Sequence, residues 1–397
     1  MEQEKDTKKT TGGALAGALS LLGLPCECVA ENVTANTIFY HFNLTNIKDY
    51  PKIKKVVNLL TIDYHISAET VKSDIGHFAV EVMREKREII PFFSAYSAAN
   101  IKPFRAVVGL STAGEWVTVD VNKMVSGLCV GTSGSGKSNF LHCFINSLTC
   151  STSPEKLRFL LIDCKRAELM QYNDRCCHLM AKVCTTAEDA NFRLTQIIDI
   201  MQERYKIMEE RHTNTCPDDF PRIVIIVDEL AELMLTANKR QAENTKTALT
   251  RLCQLGRACG IHCLLCTQSP RVSVVDGLIQ TNTPTKFALR TSNTRESVIA
   301  IGHGGCERLC GCGDMIYKPA DDVKEIRLQV PYISTDDITN IYKNLPVKEW
   351  NKPTPQPTKK TFRKRLSEAM RKINKRREQD KITYQDCIDF DTMDDDE

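Results

Sequence analysis

Apolar positions recur along this chain in two rhythms, and the change falls near residue 100. Before it, the pattern predicts a helix over 13–23 and a strand-like stretch over Val29–Asn43, centred on Ile38-Phe39-Tyr40-His41-Phe42. A helix over Lys52–Leu60 and strand-like segments at Ile62–Ile66 and His77–Val82 follow. Together they predict a small α+β domain, 13–100, behind a polar leader, 1–12. From Phe104 short apolar runs alternate with helical periodicity, the signature of a parallel α/β sheet. The strand candidates are Leu128–Val130, Arg158–Ile162, Ile223–Val227, His262–Cys266 and Lys286–Leu289. Between them Ala187–Arg211 reads as a helix, with Phe192, Ile197, Ile200, Met201, Tyr205 and Met208 on a broad apolar face. This second domain is expected over 101–345.

Residues 346–397 form a third region. Pro353, Pro355 and Pro357 predict a stiff extended spacer. Phe362, Leu366, Met370 and Ile373 then recur at helical spacing. Charge sharpens the picture: 358–381 carry eleven Lys/Arg against three Asp/Glu, whereas 382–397 carry seven acidic residues and no Lys or Arg. A basic helix is thus followed by an acidic tail, Asp394–Glu397, too charged to fold alone. Over the whole 397 residues the formal charge is only +3, which by itself implies no polyanionic partner. The 42% hydrophobic and 26% charged residues describe a globular protein with room for two or three domains.

The eighteen cysteines are scattered. Cys129, Cys164, Cys263 and Cys266 lie in or beside apolar runs and read as small buried hydrophobes. Neither Cys306-x3-Cys310-x-Cys312 nor Cys259-x3-Cys263-x2-Cys266 has a second pair at zinc spacing, so no structural zinc is expected. His41, His65 and His77 are isolated and read as structural. No apolar run reaches the roughly 20 residues of a membrane span. Gly12–Leu24 has the length of a signal peptide, but Glu2, Glu4 and Asp6 precede it and no small-residue cleavage site follows. An N-terminal amphipathic helix is the expectation.

The chemistry is concentrated in the second domain. Gly131-Thr132-Ser133-Gly134-Ser135-Gly136-Lys137-Ser138 fits G-x-x-x-x-G-K-[ST] and sits between the strand Leu128–Val130 and a helix over Asn139–Leu148. Such a loop turns backbone N–H groups and a helix N-terminus on the phosphates of a nucleotide, here ATP. Lys137 is placed to reach the β- and γ-phosphates and Ser138 to ligate Mg²⁺. The unbroken run Ile223–Val227 predicts a buried strand ending in Asp228, a holder of hydrated Mg²⁺, and Glu229, the base for the attacking water. Another strand ends in Thr267-Gln268, where polar side chains can sense the γ-phosphate. The set implies a RecA-like P-loop ATPase of the additional-strand, catalytic-glutamate type rather than a small-molecule kinase. No Leu-Ser-Gly-Gly-Gln signature is present, which argues against an ABC-type ATPase. Arg257, ahead of the Thr-Gln strand, is the best candidate for an arginine finger. A cytoplasmic location follows from ATP use with reduced thiols.

In order and spacing, these strings resemble the FtsK/SpoIIIE family of hexameric, ATP-driven double-stranded DNA translocases. The resemblance runs over about 107–335 through Gly114–Met124, Gly131–Ser138, Phe159-Leu-Leu-Ile-Asp163-Cys-Lys165, Glu203-Arg-Tyr-Lys206, Val227-Asp228-Glu229 and Arg257–His262. Thr267-Gln-Ser-Pro270, Gly277–Pro284 and Gly311-Cys-Gly-Asp314-Met315 complete it. More weakly, 13–100 resembles the small α domain that precedes the family's motor. The resemblance implies that Arg257 completes a neighbouring subunit's ATP site and that Thr267 and Gln268 occupy the sensor position. It also implies DNA-facing positions, and here the chain departs from the family. Ser269-Pro270-Arg271 replaces Arg-Pro-Ser, Gln280 stands where lysine is common, and Arg290 and Arg295 are the nearest basic neighbours. Arg271, Arg290 and Arg295 are therefore the expected DNA contacts.

The expectation is a homohexameric ring around duplex DNA, serving transfer or segregation for a phage, plasmid or other mobile element. Neither an N-terminal membrane module nor a winged-helix reader in the tail is expected from these residues. The basic C-terminal helix is expected either to contact DNA or to dock a protein partner. The competing readings are a conjugation-coupling or packaging ATPase, and a nucleotide-gated DNA-binding scaffold that does not translocate.

Overall fold

In the computed structural model residues 12–343 are described, except 64–67, 75, 85–87, 174 and 323. The expected Pro-rich spacer, basic helix and acidic tail lie outside the described residues, as do 1–11 of the leader and His65.

The first elements are α1 (Gly12–Leu21), β1 (Cys26–Val33), β2 (Thr37–Leu44), α2 (Ile53–Asp63), β3 (Ala68–Asp74) and β4 (His77–Met83). The strands form one antiparallel sheet in the order β1-β2-β4-β3. Tyr40, Phe42, Phe78 and Val80 alternate along β2 and β4 and pack on Leu15, Leu19 and Val57 from the two helices. The run expected as one strand over Val29–Asn43 is a hairpin. Its turn is closed by the Thr34 N–H on the Thr37 carbonyl (2.8 Å) and by the Thr37 N–H on Thr34 Oγ1 (3.1 Å). Hydroxyl and amide side chains at Thr34 and Asn36 favour such a turn over continued extension. The strand expected from Ile62 is also corrected, because Ile62 and Asp63 finish α2.

The large sheet holds nine strands. Its elements are α3 (Phe92–Ala98), β5 (Arg105–Ser111), β6 (Trp116–Asp120), α4 (Val121–Met124), β7 (Gly127–Val130), α5 (Lys137–Ser151), β8 (Leu157–Ile162) and α6 (Ala187–Glu210). They continue with β9 (Arg222–Val227), α7 (Leu230–Leu235), α8 (Lys239–Leu255), β10 (Ile261–Thr267), α9 (Gly277–Asn282) and β11 (Thr285–Leu289). Last come α10 (Thr294–Ile301), β12 (Asp314–Lys318), β13 (Ile326–Gln329) and α11 (Thr335–Lys343). The strand order is β6-β5-β13-β12-β11-β7-β10-β9-β8. From β11 to β8 every pairing is parallel, and from β11 to β6 every pairing is antiparallel.

Strand alternation sorts the core into two layers. Cys129, Phe159, Leu161, Val224, Ile226, Leu264 and Phe287 face α5, with Phe140, Leu141 and Phe144. Their neighbours Leu128, Leu160, Ile225, Leu265 and Ala288 face α6 to α10, with Leu194, Ile197, Leu249 and Leu252. Both faces of the parallel half are thus covered, which is why its strands read as continuous apolar runs. β10 lies between β7 and β9, so the phosphate-loop strand and the acidic strand are separated by one inserted strand. β7 is also where the strand order turns back, and in such sheets the crevice beyond the strand C-termini is the ligand site.

Candidate active site

The loop after β7 is suspended between two neighbouring strand ends. The Gly131 N–H donates to the Thr267 carbonyl (3.2 Å), and the Thr132 N–H (2.9 Å) and Oγ1 (3.0 Å) donate to the Arg290 carbonyl. The Ser135 N–H turns the chain back onto the Thr132 carbonyl (3.0 Å). A second turn, Cys312-Gly313, lies against this loop: the Gly313 N–H donates to the Ser135 carbonyl (2.7 Å) and the Cys312 N–H to the Gly134 carbonyl (3.2 Å). Gly136 has φ 102° and its α-carbon faces the Gly313 backbone, so a Cβ there meets both steric and conformational resistance. The helix α5 starts immediately afterwards with Lys137, and its first turn leaves N–H groups with no intrahelical acceptor.

Lys137 and Asp228 meet beneath the loop, each side chain 2% exposed. The Lys137 ammonium donates to Asp228 Oδ1 (2.5 Å) and to the Asp228 carbonyl (2.8 Å). Burial drives Asp228 upward from the usual carboxylate range, and the Lys137 charge pulls against it. An ammonium with two oxygen acceptors in a buried pocket stays charged, as Lys137 does here against the effect of burial.

Glu229 occupies the N-cap position of α7 without a side-chain cap bond, and is buried. Its Oε1 accepts the Thr267 hydroxyl (2.7 Å) and the Gln268 N–H (3.2 Å). Its Oε2 accepts the same N–H (3.1 Å) and the Lys165 ammonium (3.1 Å). Thr267 and Gln268, expected to face the γ-phosphate, are therefore also the groups that hold the carboxylate of Glu229.

The turn after β8 adds residues to which the sequence reading gave no role. Asp163 Oδ2 accepts the N–H groups of Glu168 (3.0 Å) and Leu169 (2.9 Å), and Arg166 takes φ 58° within the turn. The turn projects Lys165 toward Glu229 and Glu168 toward His142 and Ser138. The nearby His142 imidazole (3.6 Å) and then Ser138, helped by Lys137, hold Glu168 down to about 2 against the effect of burial. Asp163 Oδ1 is buried without a hydrogen-bond partner among the described residues. Ser138 and Asp228, the expected Mg²⁺ ligands, offer oxygen donors, the chemistry Mg²⁺ takes, and the carboxylates of Asp163 and Glu168 lie in their electrostatic neighbourhood. The donors thus fit the expected ion. The signal for Asp163 was an acid at the exit of a buried strand, the same signal that marked Asp228; Glu168, further along the turn, carried none.

The remaining candidates lie elsewhere. Arg257 is exposed in the turn between α8 and β10, at the N-terminal edge of the parallel strands. The phosphate loop is at their C-terminal edge, roughly 20 Å away along a seven-residue strand. Arg271 is exposed in the segment after β10, and Arg295 is exposed on α10. Arg290 is partly buried, its guanidinium packed beside Gly311 next to the phosphate loop. Among the described residues no helix is long and apolar enough to cross a membrane, and no group of three or more His, Cys, Asp or Glu is arranged to hold a metal alone.

Comparison with known proteins places this geometry. Residues 94–219 and 216–272 match the FtsK/SpoIIIE family. The chain is 34% identical over 319 residues to the DNA translocase FtsK of Lactococcus lactis subsp. lactis (strain IL1403), covering 73% of this chain and 41% of that protein. With the DNA translocase FtsK of Mycobacterium tuberculosis (strain ATCC 25618 / H37Rv) it shares 32% identity over 321 residues, covering 72% and 38%. The chain thus spans about two fifths of the length of these relatives. Among solved structures, the pCW3 conjugation coupling protein TcpA, in its monomer form with ATPγS, superimposes with a TM-score of 0.60 at 19% identity, over 82% of this chain and 96% of that one. The cytoplasmic domain of the Thermomonospora curvata type VII secretion ATPase EccC gives 0.53 at 21% identity, over 64% and 32%. These two likenesses establish the P-loop ATPase fold.

Proposed function

Since this chain belongs to the FtsK/SpoIIIE family, we propose that it hydrolyses ATP to drive itself along double-stranded DNA. The observation that carries the reading is the convergence of Lys137, Asp228, Glu229 and Thr267 at the C-terminal edge of β7, β9 and β10. Lys137 and the N-terminus of α5 bind the phosphates, and Glu229 accepts the proton of the attacking water. Ser138 and Asp228 would hold Mg²⁺, with the charges of Asp163 and Glu168 in their neighbourhood. When bound, the ion neutralises charge on the phosphate oxygens.

Arg257 lies too far from its own subunit's loop to contribute there, and this supports action on a neighbour's nucleotide in a ring. A homohexamer around duplex DNA is the assembly proposed, with Arg271 and Arg295 as exposed phosphate contacts. Such contacts carry no sequence information and weaken steeply with salt. Service to a phage, plasmid or integrative element is the proposed setting.

ATPase activity measured with and without duplex DNA, together with displacement of a triplex-forming strand, tests the whole reading. Duplex raises turnover and the third strand is displaced if the protein translocates. ATP consumption without displacement identifies a nucleotide-gated scaffold instead. The Glu229→Gln variant is expected to bind ATP normally and to lose at least about 100-fold in turnover.

A further inference from the structure

The four contacts on Glu229 are not equivalent. Thr267 is fully buried at the end of a central strand, and the Gln268 donor is a backbone N–H. These cannot leave without disturbing the sheet. Lys165 is different: its side chain is 35% exposed while that of Glu229 is 3% exposed, and its ammonium sits at the end of a long flexible stem. The turn that presents it is tied by Asp163 Oδ2 to two backbone N–H groups, so only the lysine side chain is free to swing. A general base needs an unshared pair directed at the water it deprotonates. On Glu229, Oε1 is occupied by Thr267 and Oε2 by Lys165, so removal of the ammonium is the least disruptive way to expose one.

We infer that Lys165 is a positioning residue that restrains Glu229, keeping basal ATP turnover low until the ion pair opens. The inference rests on the reading of Glu229 as the base. Lys165 forms no bond to the reacting atoms in this account; it acts by occupying the carboxylate.

The test measures steady-state ATPase kinetics of Lys165→Met, Lys165→Arg and Lys165→Met/Glu229→Gln without DNA, with binding of a fluorescent ATP analogue as a check on folding. A partly exposed ion pair is worth about 1 kcal/mol, so Lys165→Met is expected to raise basal kcat about fivefold with KM and analogue affinity unchanged. Lys165→Arg keeps the cation and stays near wild type. The double variant is as inactive as Glu229→Gln alone, because the gain passes through the carboxylate. With duplex present, Lys165→Met and wild type converge, so the variant's stimulation ratio falls. An unchanged or reduced basal kcat in a Lys165→Met protein that binds nucleotide normally overturns the restraint. Full turnover by Glu229→Gln overturns the base assignment beneath it, and the two failures are thus distinguished.

Discussion

His262 is fully enclosed on β10, and its Nδ1 donates to the Val125 carbonyl (3.0 Å) while Nε2 has no partner among the described residues. The acceptor belongs to a residue at φ 63°, an uncommon conformation for a β-branched side chain, at the entrance to β7. Burial first, then the charges of Arg222 and Arg257, push the imidazole down to about 4 against the favourable Val125 bond. The unfolded chain binds this proton near pH 6.5 and the folded chain does not until about pH 4. The stability contributed by neutral His262 is therefore complete above pH 6.5 and is lost as pH falls toward 4. Urea denaturation at pH 7.5 and pH 5 is expected to show a loss of about 2 kcal/mol from this residue, and His262→Gln is expected to lack that part of the pH dependence. Equal pH dependence in the two proteins rules the account out. Nothing in the sequence pattern distinguished His262 from any other strand residue; its enclosure comes from packing by distant segments.

Among the elements, the parallel strands were the most legible. Buried on both faces, each had to be apolar throughout, and Leu128–Val130, Arg158–Ile162 and Ile223–Val227 lie within a residue of the observed bounds. β5, β6, β12 and β13 were not among the expected strands; β6, β12 and β13 are short and mix polar with apolar positions, whereas the largely apolar β5 was simply not singled out. Helix α8 shows what local signals can decide. Asn238 Oδ1 accepts the Gln241 N–H (2.9 Å) and Gln241 Oε1 accepts the Asn238 N–H (3.2 Å), a reciprocal cap at the helix start. Asn238→Ala is expected to cost about 1 kcal/mol in a urea titration, and Asn238→Asp or Asn238→Ser much less. A loss confined to Asn238→Ala with intact nucleotide binding assigns the effect to the cap. The element is also where the candidate site is completed, since β10 carries Thr267 to Glu229, which follows the end of the neighbouring strand β9.

At the scale of the molecule, one guanidinium ties the four-stranded sheet to the nine-stranded one. Arg327 on β13 grips Asp314 through Nε (3.1 Å) and Nη2 (2.8 Å), and donates through Nη1 to Glu81 on β4 (2.5 Å). Beside it Gln329 takes a hydrogen bond from Asn36 and donates to the Cys312 carbonyl (2.9 Å), within the turn that rests on the phosphate loop. The small sheet and the nucleotide loop are thus linked through a few consecutive polar contacts. Arg327→Met leaves two largely buried carboxylates facing each other and is expected to cost about 3 kcal/mol in stability. Arg327→Met combined with Glu81→Leu is expected to recover a substantial part of it, because one uncompensated charge is removed. Additive losses in the two single variants exclude direct coupling.

By itself the sequence determined the parallel strands, the phosphate loop and the acids Asp228 and Glu229, because these follow from local periodicity and fixed spacing along one stretch of chain. It also supported the family resemblance, through many short strings in order. Only the tertiary structure decided that Lys165 and Thr267 converge on Glu229, that Glu168 stands beside Ser138, and that Arg327 joins two sheets. Those contacts join segments tens to hundreds of residues apart. Strand order and turn geometry set them, and no local pattern encodes either.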